Sequence, residues 1–91
     1  MEITFDPEKN ERNIRDRGLS FALAAEFDFE GAVTHVEQRR GENRLVSVGY
    51  LGNRLHVLCY LETASGVRVI SFRKANQREA MKYGLPKTLD R

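Results

Sequence analysis

Between residues 32 and 74 the apolar side chains recur with a period of two in four successive runs, AVTHVEQ, RLVSVGYL, RLHVLCYLE and VRVISFRK. That period sends neighbouring side chains to opposite faces of a pleated backbone, so the runs predict strands and not helices. Their separators, RRGEN, GN and TASG, are short and made of turn-forming residues. Gly52-Asn53 is the strongest hairpin signal and makes the second and third runs antiparallel neighbours. Short links throughout predict a four-stranded antiparallel meander.

Helices are expected on either side of this sheet. A short strand, Ile3 to Phe5, leads into Asp6 as N-cap and Pro7 at the first helical position, where its missing N–H costs nothing, and Gly18 is the stop. Only Ile14 is strongly apolar in this helix, which places it at the periphery. A second helix, SFALAAEFDF, has Ser20 as N-cap and Phe21, Ala24, Ala25 and Phe29 for its buried side. Asn76 caps a short last helix, Glu79 completes a capping box, and Gly84 and Pro86 end it. The expected fold is therefore α+β, with an N-terminal strand and two helices, the meander, and a short C-terminal helix. Residues 1–91 make one domain, since a single core accommodates this length.

Composition narrows the function classes. With 41% hydrophobic and 31% charged residues the chain is an ordinary globule, and no run approaches the roughly 20 apolar residues of a membrane span. Glu2, Asp6 and Glu8 are unlike the basic start of a secretory signal, so a cytoplasmic location is expected. Cys59, the single cysteine, lies in an apolar run and reads as a structural residue. No cofactor is expected, and no His, Cys, Asp and Glu stand at metal-ligand spacing.

The net charge of +2 conceals an asymmetry. Residues 1–66 carry eight Lys/Arg against eleven Asp/Glu, a balance of −3, whereas residues 67–91 carry seven against two, a balance of +5. A basic last quarter points to an anionic partner such as nucleic acid.

Four segments carry a resemblance: ITFDPEKNERNI, GLSFALA, ENRLVSVGYL and RVISFRKANQREAMKYG. In order and spacing the chain resembles the BrnT family, small toxins of bacterial toxin-antitoxin pairs, from Ile3 to about Gly84. The most specific piece is RVISFRKANQRE, close to the family's RIISxRKAxxRE signature, followed by the N-terminal FDPxKNxxN pattern. The resemblance implies a RelE-like fold, ribonuclease activity that arrests translation, and a cognate BrnA-like antitoxin with a ribbon-helix-helix fold, forming a hetero-oligomer. Two departures stand out. Asp16-Arg17 replaces the family's common Lys-His, and SFALAA replaces an acidic SFEEA type of segment.

Metal-independent RNA cleavage needs a base for the ribose 2′-OH, cations for the charge growing on the phosphate, and an acid for the leaving oxygen. Arg73, Lys74 and Arg78 suit the middle role, helped by free backbone N–H groups at the start of the last helix. His56 is a candidate for acid-base work, and so is Glu62; His35 is the other histidine, and Glu79 is already committed as a cap. Tyr83 is a candidate to stack a base or assist proton transfer. Arg44, Arg68 and Lys82 are further RNA-binding candidates. Simple alternation places Arg44, Val46, Val48 and Tyr50 on one sheet face with His56, Leu58, Tyr60 and Glu62, and with Arg68, Ile70, Phe72 and Lys74. A second reading keeps the fold and the antitoxin contact but makes the chain a non-catalytic RNA- or protein-binding module. DNA binding through the basic tail is a weaker third, because no recognition helix is present.

Overall fold

A computed structural model describes residues 1–90; Arg91, which counts toward the basic last quarter, lies outside the described residues. The elements are β1 (Glu2–Thr4), α1 (Pro7–Arg17), a 3-10 helix (Phe21–Glu26), β2 (Val33–Arg39), β3 (Glu42–Leu51), β4 (Arg54–Glu62), β5 (Gly66–Lys74) and α2 (Gln77–Tyr83). They confirm the α+β class, with two corrections. The sheet has five strands in the order β1-β5-β4-β3-β2, because β1 pairs parallel to β5 and extends the antiparallel meander into a mixed sheet. Gly66 makes that pairing possible: a Cβ there would collide with the backbone of Glu2. The second helix is a 3-10 helix and not an α-helix. Ser20 caps it as expected, but with only six residues, two of them buried, it has little to gain from a longer α-helical ladder.

Strand ends also differ. β2 and β3 are joined by a two-residue turn, Arg40-Gly41, both residues having positive φ (52° and 76°), so the strands run further than the RRGEN separator suggested. Such a turn matches the twist of the flanking strands, but an arginine in the left-handed region is a weak sequence signal.

Each face of the sheet is covered differently. On the first, the 3-10 helix and its flanks bury Leu19, Phe21, Ala24 and Phe27 against Leu58, Tyr60, Val67, Val69 and Phe72. Edge-to-face contacts link Phe5 with Phe21, Phe27 with both Phe29 and Phe72, and Phe29 with Tyr60. The hydroxyl of buried Ser47 lies 2.7 Å from Thr34 and 2.8 Å from Tyr60, so this apolar face leaves it no unpaired polar atom. On the second face, α2 and the chain after it pack Ala80, Tyr83 and Leu85 over Val46, Val48, Leu55 and Val57. The part of this face nearest the β2–β3 turn remains uncovered.

α1 buries none of its residues, as its lone Ile14 foretold. It is anchored by polar groups: Asn13 Nδ2 donates to the carbonyls of Leu19 (2.9 Å) and Phe72 (3.0 Å), and Asn10 Oδ1 accepts from Phe21 N–H at 2.7 Å. Of the two asparagines of FDPEKNERN, Asn13 therefore binds the helix to the C-terminal half of β5, beyond the reach of the three-residue β1, and Asn10 binds it to the start of the 3-10 helix.

Candidate nucleic-acid interface

The register overturns the expected face. Across the Gly52-Asn53 turn Leu51 pairs with Arg54, so Tyr50 opposes Leu55 and Gly49 opposes His56. Even-numbered residues of β3 therefore share a face with odd-numbered residues of β4. An irregularity at Cys59/Tyr60 then shifts the phase of β5: Ser71 opposes Cys59, but Val69 opposes Tyr60, leaving Ile70 as the extra residue of a bulge. Arg44, Arg68 and Arg73 consequently lie on the second face, with Val57 and Cys59. His56, Glu62 and Lys74 lie on the first.

The uncovered part of the second face is a groove of about 390 Å³. Val46, Val57, Cys59 and Ser71 line it, and Lys9 of α1, Arg39 of β2, Arg44 of β3 and Arg73 of β5 bring four cations to it, with Glu37 the only carboxylate. Burial pushes the Cys59 thiol above its ordinary range, which keeps it a neutral thiol. Of the residues singled out from the sequence, this groove unites Arg44 and Arg73. Lys9, Glu37 and Arg39 were missed, since sequence spacing does not show that an N-terminal helix and the β2 strand frame one hollow.

Arg73 is held in a defined orientation. Its Nη1 and Nη2 donate to Glu79 Oε1 (2.8 Å) and Oε2 (2.7 Å), and Nη1 also reaches the Lys74 carbonyl at 3.3 Å. The Nε–H and the second Nη2–H, which share one edge of the guanidinium, have no protein acceptor among the described residues. A pair of parallel donors of this kind is what two phosphate oxygens require. Glu79 also accepts from Asn76 N–H (3.0 Å) while Asn76 Oδ1 accepts from Glu79 N–H (2.8 Å). This capping box occupies two of the backbone donors that the start of the last helix was expected to offer an anion, those of Asn76 and Glu79. The hydrogen bonds from Arg73 lower the Glu79 carboxyl to about 2, so it is an anion and no base at neutral pH.

A pH dependence follows. Because the folded pKa of Glu79 is depressed, its stabilising contribution is complete above the ordinary value of 4.5 and is lost as pH falls from there through about 2. Solvent reaches both side chains, which reduces the expected loss to about 1–2 kcal/mol. Urea titrations at about pH 6 and about pH 2.5 should show this component in the wild-type chain and not in Glu79→Gln.

The remaining candidates are distributed elsewhere. His56 is 3% exposed beneath the first-face core; its Nδ1–H donates to the Arg54 carbonyl at 2.8 Å, and burial lowers its pKa, so it is a neutral structural imidazole. Lys74 projects on that same face, next to Arg17, Gly18 and Leu19. Glu62 and Arg68 stand at the far end of β4 and β5, about 17 Å along the strands from Arg73, and on opposite faces, which explains why they form no ion pair. Tyr83, the last residue of α2, packs against the second-face core and stacks on His35, ring centroids 6.3 Å apart, with Lys82 Nζ 5.4 Å from its ring centroid. Arg78 is exposed on α2 and makes no ion pair within the described residues. No three His, Cys, Asp or Glu side chains come together among the described residues, and no helix there is long and apolar enough to cross a membrane.

A mixed five-stranded sheet with a cationic groove on one face, framed by an exposed N-terminal helix, defines a small α+β domain suited to an anionic chain. Residues 5–79 match the family described as the ribonuclease toxin, BrnT, of type II toxin-antitoxin systems, and the chain belongs to that family. The match runs from Phe5, before the Asp6 cap, to Glu79, the partner of Arg73. The crystal structure of the Brucella abortus ribonuclease toxin, BrnT, at 1.1 Å resolution is similar, with 28% sequence identity, a TM-score of 0.66, and coverage of 85% of this chain and 99% of that one. Comparison with curated proteins gives no match.

Proposed function

We propose that this chain is an endoribonuclease toxin that cuts RNA in the second-face groove by attack of the substrate's own 2′-hydroxyl, without a metal ion. The single observation that carries this reading is the convergence of Lys9, Arg39, Arg44 and Arg73 on one hollow with a lone carboxylate, Glu37. In this reading the free edge of Arg73 and the guanidinium of Arg44 hold the scissile phosphate and stabilise its growing charge. Glu37, whose Oε1 lies 3.7 Å from Arg39 Nε, takes the hydroxyl proton. Lys9 protonates or neutralises the leaving 5′-oxygen. His56 and Tyr83 serve the fold, while Glu62, Arg68, Arg78 and Lys82 lie outside the reacting centre.

An antitoxin, with a ribbon-helix-helix fold as the family resemblance implies, neutralises the toxin by covering this groove in a hetero-oligomer. The toxin acts in the cytoplasm, where its substrate lies. Expression without the antitoxin should arrest growth and translation, and Arg44→Ala with Glu37→Gln should relieve the arrest. Both side chains are at or near the surface, so the variant should melt within a few degrees of the wild-type chain. A folded variant as toxic as the wild type would remove these residues from the mechanism. RNA bound but uncut by the wild-type chain would favour the non-catalytic binding module.

A further inference from the structure

The three arginines of the groove already have carboxylate neighbours: Arg39 has Glu37, Arg44 has Glu42 and Arg73 has Glu79. The cations without one, among the described residues, include Lys9, Arg12 and Arg17, all on α1. Positions 9, 12, 13, 16 and 17 form one stripe of a helix, and these five residues line a second hollow of about 220 Å³ beside Ile70 and Ser71. Glu8, Glu11 and Arg15 fall outside it. The only carboxylate on the stripe, Asp16, lies 3.9 Å from Arg15.

This hollow is continuous with the candidate active groove, because Lys9, Ile70 and Ser71 line both. At its other end Arg17 also lines a third hollow, next to Lys74. We infer that α1 is a second RNA-binding site: a track on which Lys9, Arg12 and Arg17 hold the phosphates of the single strand flanking the cut, ending at Lys74. The inference rests on the ribonuclease reading for the choice of RNA. From Lys9 to Arg17 the helix rises about 12 Å, enough for more than one phosphate. The track gives Lys74 a role despite its position on the face opposite Arg73. It also places the Asp16-Arg17 departure from the family pattern in the flanking site and not at the reacting centre. A strand cut in the groove has to continue beyond it, and the cationic stripe of α1 is where the groove leads, which favours RNA as the occupant over an acidic segment of the antitoxin, which has the same charge.

The test is a salt series of binding to a dodecanucleotide and a trinucleotide of uridine, both 2′-O-methylated so that neither is cut. For the wild-type chain the dodecanucleotide should bind more tightly and with a steeper dependence of log K on log salt. Arg12→Gln with Arg17→Gln should make the dodecanucleotide slope shallower by about 1.4, two single-strand phosphate contacts, and shrink its advantage over the trinucleotide. Arg12→Lys with Arg17→Lys, which keeps both charges, should retain the wild-type slope and so separates charge from folding. An unchanged slope in the glutamine variant, equal affinity of the wild-type chain for both lengths, or a loss confined to antitoxin affinity would each overturn the track. A wild-type chain that holds the dodecanucleotide through α1 yet cuts no RNA would uphold the track and overturn the ribonuclease reading.

Discussion

An RNA with a single 2′-deoxy sugar at the cut position should remain uncut by this protein while binding about as well as its all-ribose counterpart. The substitution removes one hydroxyl and leaves every phosphate for Arg44, Arg73 and Lys9 to hold. If the nucleophile belongs to the substrate, its loss also removes the advantage of an intramolecular attack, and the rate should fall by at least about 10³-fold. Cleavage of the all-ribose strand should persist in EDTA. Its products should carry a 2′,3′-cyclic phosphate, or the 3′-phosphate derived from it, and a free 5′-hydroxyl. Cutting of the deoxy substrate at a comparable rate, or inactivation by chelation, would show that a water molecule activated by some other means performs the attack. The preponderance of cations over carboxylates in the groove supports the first outcome, because it suits phosphate charge better than it suits a divalent ion.

Phe72→Ala should strongly destabilise the domain. The ring is fully buried, touches Phe27 with centroids 6.0 Å apart and His56 at 5.4 Å, and opposes Leu58 on β4. Truncating such a phenylalanine costs about 3–5 kcal/mol, a large part of the roughly 5–15 kcal/mol that holds a domain of this kind together. The Phe72 carbonyl also accepts from Asn13, so a shift of this strand would loosen α1 as well. A urea midpoint that moves down strongly with unchanged slope is the expected signature. A midpoint close to that of the wild-type chain would mean that the core closes over the gap, and the packing described for this face would be wrong. Phe72→Leu, which keeps most of the volume, should lose much less.

The candidate site was partly legible in the chain. Arg73 stood out because a period-two run ends there against a capping signal, and both signals are local. Glu79 was recognised as a cap, but its second role as partner to Arg73 depends on α2 folding back toward β5, which local spacing does not encode. His56 attracted attention as a histidine near neutrality, and burial beneath the Phe72 ring makes it structural. The face assignment failed for a reason present in the sequence: a two-residue turn pairs residues of opposite parity, so Gly52-Asn53 already set Leu51 against Arg54. The bulge at Ile70 had no comparable signal.

The sequence by itself determined the strand runs, the helix caps at Asp6, Ser20 and Asn76, the turn at Gly52-Asn53 and the family, because each depends on residues within a few positions or on a contiguous motif. Only the tertiary structure decided that β1 joins β5 in parallel, that Lys9, Glu37 and Arg39 meet Arg44 and Arg73 in one groove, and that Lys74 lies on the opposite face. These depend on register, on one extra residue in a strand, and on the docking of an exposed helix through two asparagine side chains. A one-residue change of phase sends a side chain to the other side of the sheet, so residues adjacent in sequence, Arg73 and Lys74, came to face different surroundings.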